Sequence, residues 1–201
     1  MYEYELIAYD QGFAAVCGVD EAGRGPLAGD VYAAAVILPK GVEIEGVNDS
    51  KKLSEKKREK LFDVILERAD AYCIATASVE EIDTINILQA SLLAMRRAVE
   101  GLSIKPDLAL VDGNQDPNFA DVPAQTLIGG DAKSASIAAA SILAKVARDR
   151  YMKVLDEQYP QYQFAKHKGY GTKLHYEMLA EHGISPVHRR TFLKKIIGQG
   201  K

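Results

Sequence analysis

Cysteine is scarce in this chain: among 201 residues only Cys17 and Cys73 occur, and no C-x-x-C spacing joins them. A disulfide framework and a cysteine-zinc site are therefore excluded, and both thiols, each set in an apolar stretch, are expected to be buried and reduced. Long apolar runs are missing as well. The longest, Val31 to Leu38, has eight residues, against roughly 20 for a helix that crosses a bilayer, so membrane insertion is excluded. The first ten residues carry acids instead of a basic and apolar leader, which predicts a cytoplasmic location and leaves the Asn48-Asp49-Ser50 sequon without a role in glycosylation. Sixteen glycines and seven prolines are too few for a collagen-like or low-complexity chain, and 47% hydrophobic residues with a net charge of −3 argue against disorder.

That small net charge hides an imbalance. Residues 1–131 hold 12 Lys and Arg against 23 Asp and Glu, whereas residues 132–201 hold 13 against 5, so a part of charge −11 adjoins one of charge +8. Such asymmetry points toward nucleic acid or a membrane as partner, and the membrane has just been set aside. The basic charge gathers in the loop from Lys166 to Tyr170, in the segment from His188 to Lys195 and along the long helix expected after residue 132, which makes these candidates to contact a nucleic acid's phosphates.

Short apolar segments bounded by Gly, Pro or Asp predict strands over 14–19, 31–38, 72–78, 108–111 and 125–128, the first two as neighbours. Ser54-Glu55 opens an amphipathic helix that ends near Arg68. Ile85, Leu88, Leu92, Met95 and Val99 recur at helical spacing before Gly101. Residues 132–157 predict one long helix, rich in small residues that allow close approach to a neighbour, and further helices are expected over 172–182 and 186–197. This order predicts a mixed α/β fold, a five-stranded sheet flanked by helices, in a single domain spanning 1–201 whose part from about 160 to 201 forms a basic helical appendage.

Acidic side chains mark the candidate chemistry. Asp20 and Glu21 end the first predicted strand, Asp112 ends another, and Asp131 follows Gly129-Gly130 at the start of the long helix. Adjacent carboxylates repel, and a divalent cation between them relieves the repulsion. Solvated turns, and for Asp131 a helix N-cap, are the plainer alternatives. If the strands of Asp20 and Asp112 are neighbours, an all-oxygen donor set suits Mg²⁺ or Mn²⁺ and not zinc. Two such ions clamp the attacking and leaving oxygens of a phosphoryl transfer. Gly23-Arg24-Gly25 offers close backbone approach beside a guanidinium, or is simply a turn. Asn48, Ser50 and Lys51 precede a helix and can hold phosphates. The loop with Lys168 and Tyr170 interleaves bases with an aromatic, a pattern that contacts phosphates and stacks on a sugar or base. His188-Arg189-Arg190 reads as a solvated face or a phosphate-tracking surface.

Taken together, Gly18-Val19-Asp20-Glu21-Ala22-Gly23-Arg24-Gly25-Pro26, Asn48-Asp49-Ser50-Lys51-Lys52, Val111-Asp112-Gly113, Gly130-Asp131, Ala139-Ala140-Ser141, His167-Lys168-Gly169-Tyr170 and His188-Arg189-Arg190 resemble the bacterial ribonuclease HII family over nearly the whole chain. The resemblance implies a ribonuclease H-like fold. It implies hydrolysis of RNA paired with DNA and nicking 5′ to single ribonucleotides in duplex DNA, leaving 3′-hydroxyl and 5′-phosphate ends, with Mn²⁺ or Mg²⁺ as cofactor. By position it makes Asp20, Glu21, Asp112 and Asp131 the metal-site residues. Gly23, Arg24 and Gly25 then read the 2′-hydroxyl, Tyr170 packs on the sugar beyond it, and Asn48, Ser50 and Lys51 hold phosphates. A monomer is expected, acting on RNA/DNA hybrids and ribonucleotide-containing duplexes, without a C-terminal partner-binding peptide. The alternatives are another metal-dependent nuclease of the same fold and a nucleic-acid-binding module without catalysis.

Overall fold

The computed structural model describes residues 1–42, 44–47 and 53–197. Its centre is a five-stranded sheet of order β3-β2-β1-β4-β5, built from Val16–Ala22 (β1), Val31–Ile37 (β2), Ala71–Ala77 (β3), Leu108–Asp112 (β4) and Ala124–Leu127 (β5). The first three strands form an antiparallel meander, and β4 and β5 extend it in parallel beyond β1. The expected mixed sheet and the β1–β2 pairing are both present. β1 runs further than its apolar stretch, because its ladder with β2 continues from Cys17 opposite Ile37 to Ala22 opposite Tyr32. Asp20 and Glu21 consequently lie inside the strand, held by backbone pairing.

Both faces of the sheet are covered, which is why its central strands read as near-continuous apolar runs. On one face Cys17, Val19, Ala33 and Ala35 meet Ala90, Ala94, Met95 and Ala98 of the helix Val79–Glu100 (α3). On the other, Ala34 and Val36 meet Ala138, Ala139 and Ile142 of Ala135–Gln158 (α4) and Phe62 and Ile65 of Glu55–Arg68 (α2). The small residues of α4 let it lie directly on β1. A Cβ at Gly18 would overlap the Ser136–Ile137 peptide, so glycine is required there by proximity. Ser54 caps α2 by accepting from the Lys57 amide, as its sequence predicts.

Several elements depart from expectation. Glu3–Asp10 is a helix (α1) that the acidic N-terminal sequence did not announce. Helix α3 starts at Val79, six residues before the apolar stripe, under a capping box in which Ser78 accepts from the Glu81 amide and Glu81 accepts from the Ser78 amide. It breaks at Asn86, whose φ of 70° and ψ of 163° are not helical. The long helix begins at Ala135, with Ser134 as its cap, and Asp131 occupies a separate 3₁₀ turn, Gly130–Ala132. The N-capping alternative for Asp131 is thereby overturned. The basic loop after Pro160 contains the short helix Phe164–His167 (α5), Lys173–His182 follows as α6 with Thr172 as its cap, and the single helix expected over 186–197 is a 3₁₀ turn, Arg190–Phe192, followed by Lys194–Ile197 (α7). Among the described residues no helix is long and apolar enough to cross a membrane. Cys17 and Cys73 are free, and burial pushes the Cys17 thiol up to about 12.

Candidate active site

The parallel register that sets Val19 opposite Val111 makes Asp20 and Asp112 the next residues along β1 and β4. Side chains alternate across a strand, so Asp20 faces α4, where the Ser141 hydroxyl bonds to its carboxylate. Glu21 faces the other way, into a cavity of about 100 Å³ lined by Glu21, Arg24, Ser91, Leu92, Asp112 and Asn114. Asp20 is 4% exposed, and its Oδ1 accepts from the Glu21 amide at 2.7 Å. Burial, then the charges of Glu21 and Asp112, raise its carboxyl well above the ordinary range. Burial also raises Glu21, against the pull of Arg24, whose Nη1 stands 3.3 Å from Oε1. A larger apolar cavity of about 260 Å³, under Phe119 and Val122 at the other end of β4 and β5, contains none of these groups.

Asp112 is fixed by the turn that follows β5: the Gly130 amide donates to its Oδ1 at 2.7 Å. Asp131, the next residue, is buried. The structure thus brings Asp20, Glu21 and Asp112 within reach of one another's charge and sets Asp131 one residue from the Asp112 contact. Among the described residues no three His, Cys, Asp or Glu side chains are closed round one point as in a structural metal cage. The donor set nevertheless fits a hard divalent cation. It is all carboxylate, its most buried member is destabilised by its neighbours' charge, and the half-exposed Arg24 guanidinium pairs with Glu21 among the described residues. Asn48, Ser50 and Lys51 lie outside the described residues.

Beside the carboxylates the chain turns through Gly23-Arg24-Gly25. Gly23 has φ of +101°, and a Cβ there would strike the Arg148 guanidinium, so this position excludes side chains twice over. The loop is held from beneath by a cation that sequence reasoning placed on the surface. Arg189 is fully buried and donates to five carbonyl contacts: Gly23 at 2.7 Å, Arg24 at 3.1 Å, Pro26 at 2.8 Å and Gly29 at 2.9 and 2.7 Å. Without a carboxylate partner among these contacts, it is pushed down to about 9, first by desolvation and then by Arg148. Arg148 ties Ala28 and Asp30 to Lys168, donating to the three carbonyls at 3.1, 3.2 and 3.0 Å. His188 is buried as well, which corrects the reading of His188-Arg189-Arg190 as a solvated or phosphate-tracking face; only Arg190 is exposed. An arginine inside a basic run carries no sign that it will be buried against carbonyls.

Tyr170 closes the other side. Its ring stands over Gly25, 3.6 Å from where a Cβ would be, and it is 44% exposed. The Leu27 amide donates to Gly169 O at 2.8 Å, joining the two loops. The Lys168 ammonium donates to Ala165 O at 2.9 Å and caps α5, so it reaches a phosphate only by leaving that bond.

The sequence pattern of the ribonuclease HII family matches residues 17–195. A ribonuclease HII of Endomicrobium trichonymphae is 56% identical over all of this chain and 97% of its own length. One from Acinetobacter baylyi is 60% identical over 88% of this chain and 94% of its own. Among solved structures, the ribonuclease H2 from Pyrococcus horikoshii superposes with a TM-score of 0.78 at 30% identity, over 92% of this chain and 98% of that one. The ribonuclease HII of Archaeoglobus fulgidus, solved as a complex with PCNA, gives 0.71 at 27% identity over 88% and 94%.

Proposed function

The chain belongs to the ribonuclease HII family and is an endonuclease of the ribonuclease H type, and on that premise we propose that it nicks duplex DNA 5′ to a single embedded ribonucleotide, as well as cutting RNA/DNA hybrids, leaving 3′-hydroxyl and 5′-phosphate ends. Asp20, Glu21, Asp112 and Asp131 would hold the cofactor. Mn²⁺ or Mg²⁺, two ions in the active complex, supplies when bound the charge that makes in-line hydrolysis of a phosphodiester by water feasible. The protein's part is to keep these carboxylates desolvated and mutually repelled, a repulsion that a bound cation relieves and that raises their hold on protons without one. Ser141 and the Glu21 and Gly130 amides orient them.

Gly23, Arg24 and Gly25 meet the 2′-hydroxyl through backbone groups, and Tyr170 packs on the next sugar. A polar site that DNA leaves unpaired is penalised, which gives discrimination for RNA. Asn48, Ser50, Lys51 and Lys168 grip flanking phosphates. The observation that carries the reading is the adjacency of three features: the Asp20–Asp112 register, the Arg189-held glycine loop and the Tyr170 ring over Gly25. A monomer and a single domain go with this reading, the latter supported by a C-terminal segment that holds the loop adjoining β1.

The test is a DNA duplex carrying one ribonucleotide, incubated with Mn²⁺. The expected product is a single nick 5′ to the ribonucleotide with a ligatable 3′-hydroxyl, absent when EDTA is added. Cleavage that ignores the ribonucleotide would indicate a general nuclease of this fold, and intact duplex with a folded protein would indicate binding alone.

A further inference from the structure

Three imidazoles lie buried beneath the Tyr170 loop, and the chemistry assigned so far uses none of them. His175 is fully buried and His188 and His167 nearly so, packed with Tyr162 and Phe164. His167 and His175 stack at 4.3 Å between centroids. Their hydrogen bonds run in one direction only. The Ser185 amide donates to His188 Nδ1 at 3.0 Å, so that nitrogen accepts and the proton sits on Nε2. His188 Nε2–H then donates to His175 Nε2 at 3.0 Å, which leaves His175 Nδ1–H to donate to Tyr170 O at 2.9 Å. His167 Nδ1 accepts from the Gly169 amide at 3.1 Å, and its Nε2–H donates to Tyr162 O at 2.8 Å. A second proton would face the His188 N–H at His175 Nε2 and the Ser185 N–H at His188 Nδ1, where only the Ser185 hydroxyl, 2.8 Å away, could accept it. Consistent with that geometry, burial holds both imidazoles down near 4.

The consequence falls on Tyr170. Its carbonyl is bound by His175, the amide before it by His167, and the carbonyl of Gly169 by the Leu27 amide. Residues 187–189 in turn pair with 27–29: Gly29 N donates to Val187 O and Arg189 N to Leu27 O, both at 2.8 Å, and Ala28 bridges His188. His188 therefore belongs by its backbone to the glycine loop and by its side chain to the Tyr170 loop. We propose that the His188–His175 relay is the positioning device that sets Tyr170 against Gly23-Arg24-Gly25, and so determines how well the enzyme selects an isolated ribonucleotide over continuous RNA. The proposal rests on the role given to Tyr170 above.

Its test compares kcat and KM on a duplex with one ribonucleotide and on a continuous RNA/DNA hybrid, with thermal unfolding followed in parallel. His175→Phe keeps an aromatic ring against Phe164 and removes the relay. It is expected to lower the ratio of the two kcat values, single ribonucleotide over hybrid, by up to about a hundredfold, the cost that a misplacement of about 1 Å in a contact group can carry. Tyr170→Ala should move that ratio the same way. His188→Gln, which keeps a donor toward His175 Nε2, should retain most of it. A ratio unchanged in His175→Phe, with both rates falling together, overturns the proposal while leaving the Tyr170 reading in place. A ratio unchanged in Tyr170→Ala overturns both. Should His175→Phe fail to fold, nitrogen-15 NMR of the unaltered protein decides: one protonated and one bare Nε2, coupled across the hydrogen bond, supports the relay, and two independent solvent-exchanging rings overturn it.

Discussion

Asp20 illustrates how a residue's chemistry follows from its register. As a sequence letter it is one of 28 acidic residues; on β1 it becomes a carboxylate enclosed by Ser141 and raised by Glu21 and Asp112. Asp20→Asn keeps the shape and removes the charge that a cation requires. The variant is expected to lose turnover by about 10³-fold or more, the scale of removing a principal electrostatic group, while gel-shift binding of the ribonucleotide duplex survives. Turnover near the original level would overturn the metal-binding role proposed for Asp20. The acidic residues themselves were legible in the sequence because each adjoins a buried strand or a glycine. Arg148 and Arg189 were not, because nothing local distinguishes a guanidinium that binds phosphates from one that binds main-chain carbonyls. Only the enclosure of five N–H contacts by residues 23–29 makes the second role visible.

Helix α1 shows the same limit at the level of elements. Its Glu5 is 1% exposed, and Oε1 accepts from Ser134 Oγ at 2.6 Å, Ser136 N at 2.9 Å and Ser136 Oγ at 2.7 Å. A carboxylate at the N-terminus of the 24-residue α4 is favoured by its unsatisfied amides. The same contact braces the turn that carries Asp131, since the Ser134 amide donates to Gly130 O at 2.8 Å. Glu5→Ala would leave two buried hydroxyls and an amide without this partner, and is expected to lower stability by about 2–4 kcal/mol, or about 5–10 °C in Tm; Glu5→Gln should lose less. Differential scanning calorimetry measures both, and an unaltered Tm in Glu5→Ala would refute the bracing. The start of α3 was within reach of sequence reasoning, because Ser78 and Glu81 spell a capping box. The break at Asn86 was not, since the apolar stripe continues through it.

At the scale of the whole molecule the charge split acquires a different meaning. The basic part does not all face a ligand: Arg148 and Arg189, two of its 13 cations, are buried as struts. The same part holds His175 and His188, whose burial makes folding sensitive to acid. Ordinary histidine protonates near 6.5 in the unfolded chain, whereas these two stay neutral until about 4. Between those values the unfolded state binds protons that the folded state refuses, so stability falls as pH drops below 6.5 and levels off under 4. For the pair the loss by pH 5 is of the order of 2–4 kcal/mol. Asp20 and Glu21, raised in the folded state, act with the opposite sign, so urea midpoints at pH 7 and pH 5 are to be compared with those of the His175→Phe/His188→Phe double variant. A pH-dependent drop of equal size in both would show that the two imidazoles are not its source. The sequence by itself determined the alternation of strands and helices, the close seat of a small-residue helix, the four acidic positions and the glycine turn, because hydrophobic period, residue volume and local backbone preference are properties of short segments. Tertiary structure alone decided which carboxylates adjoin, that Arg189 and Arg148 lie inside, and that histidines 13 residues apart are joined by a hydrogen bond, because those depend on burial and on partners brought together from distant parts of the chain.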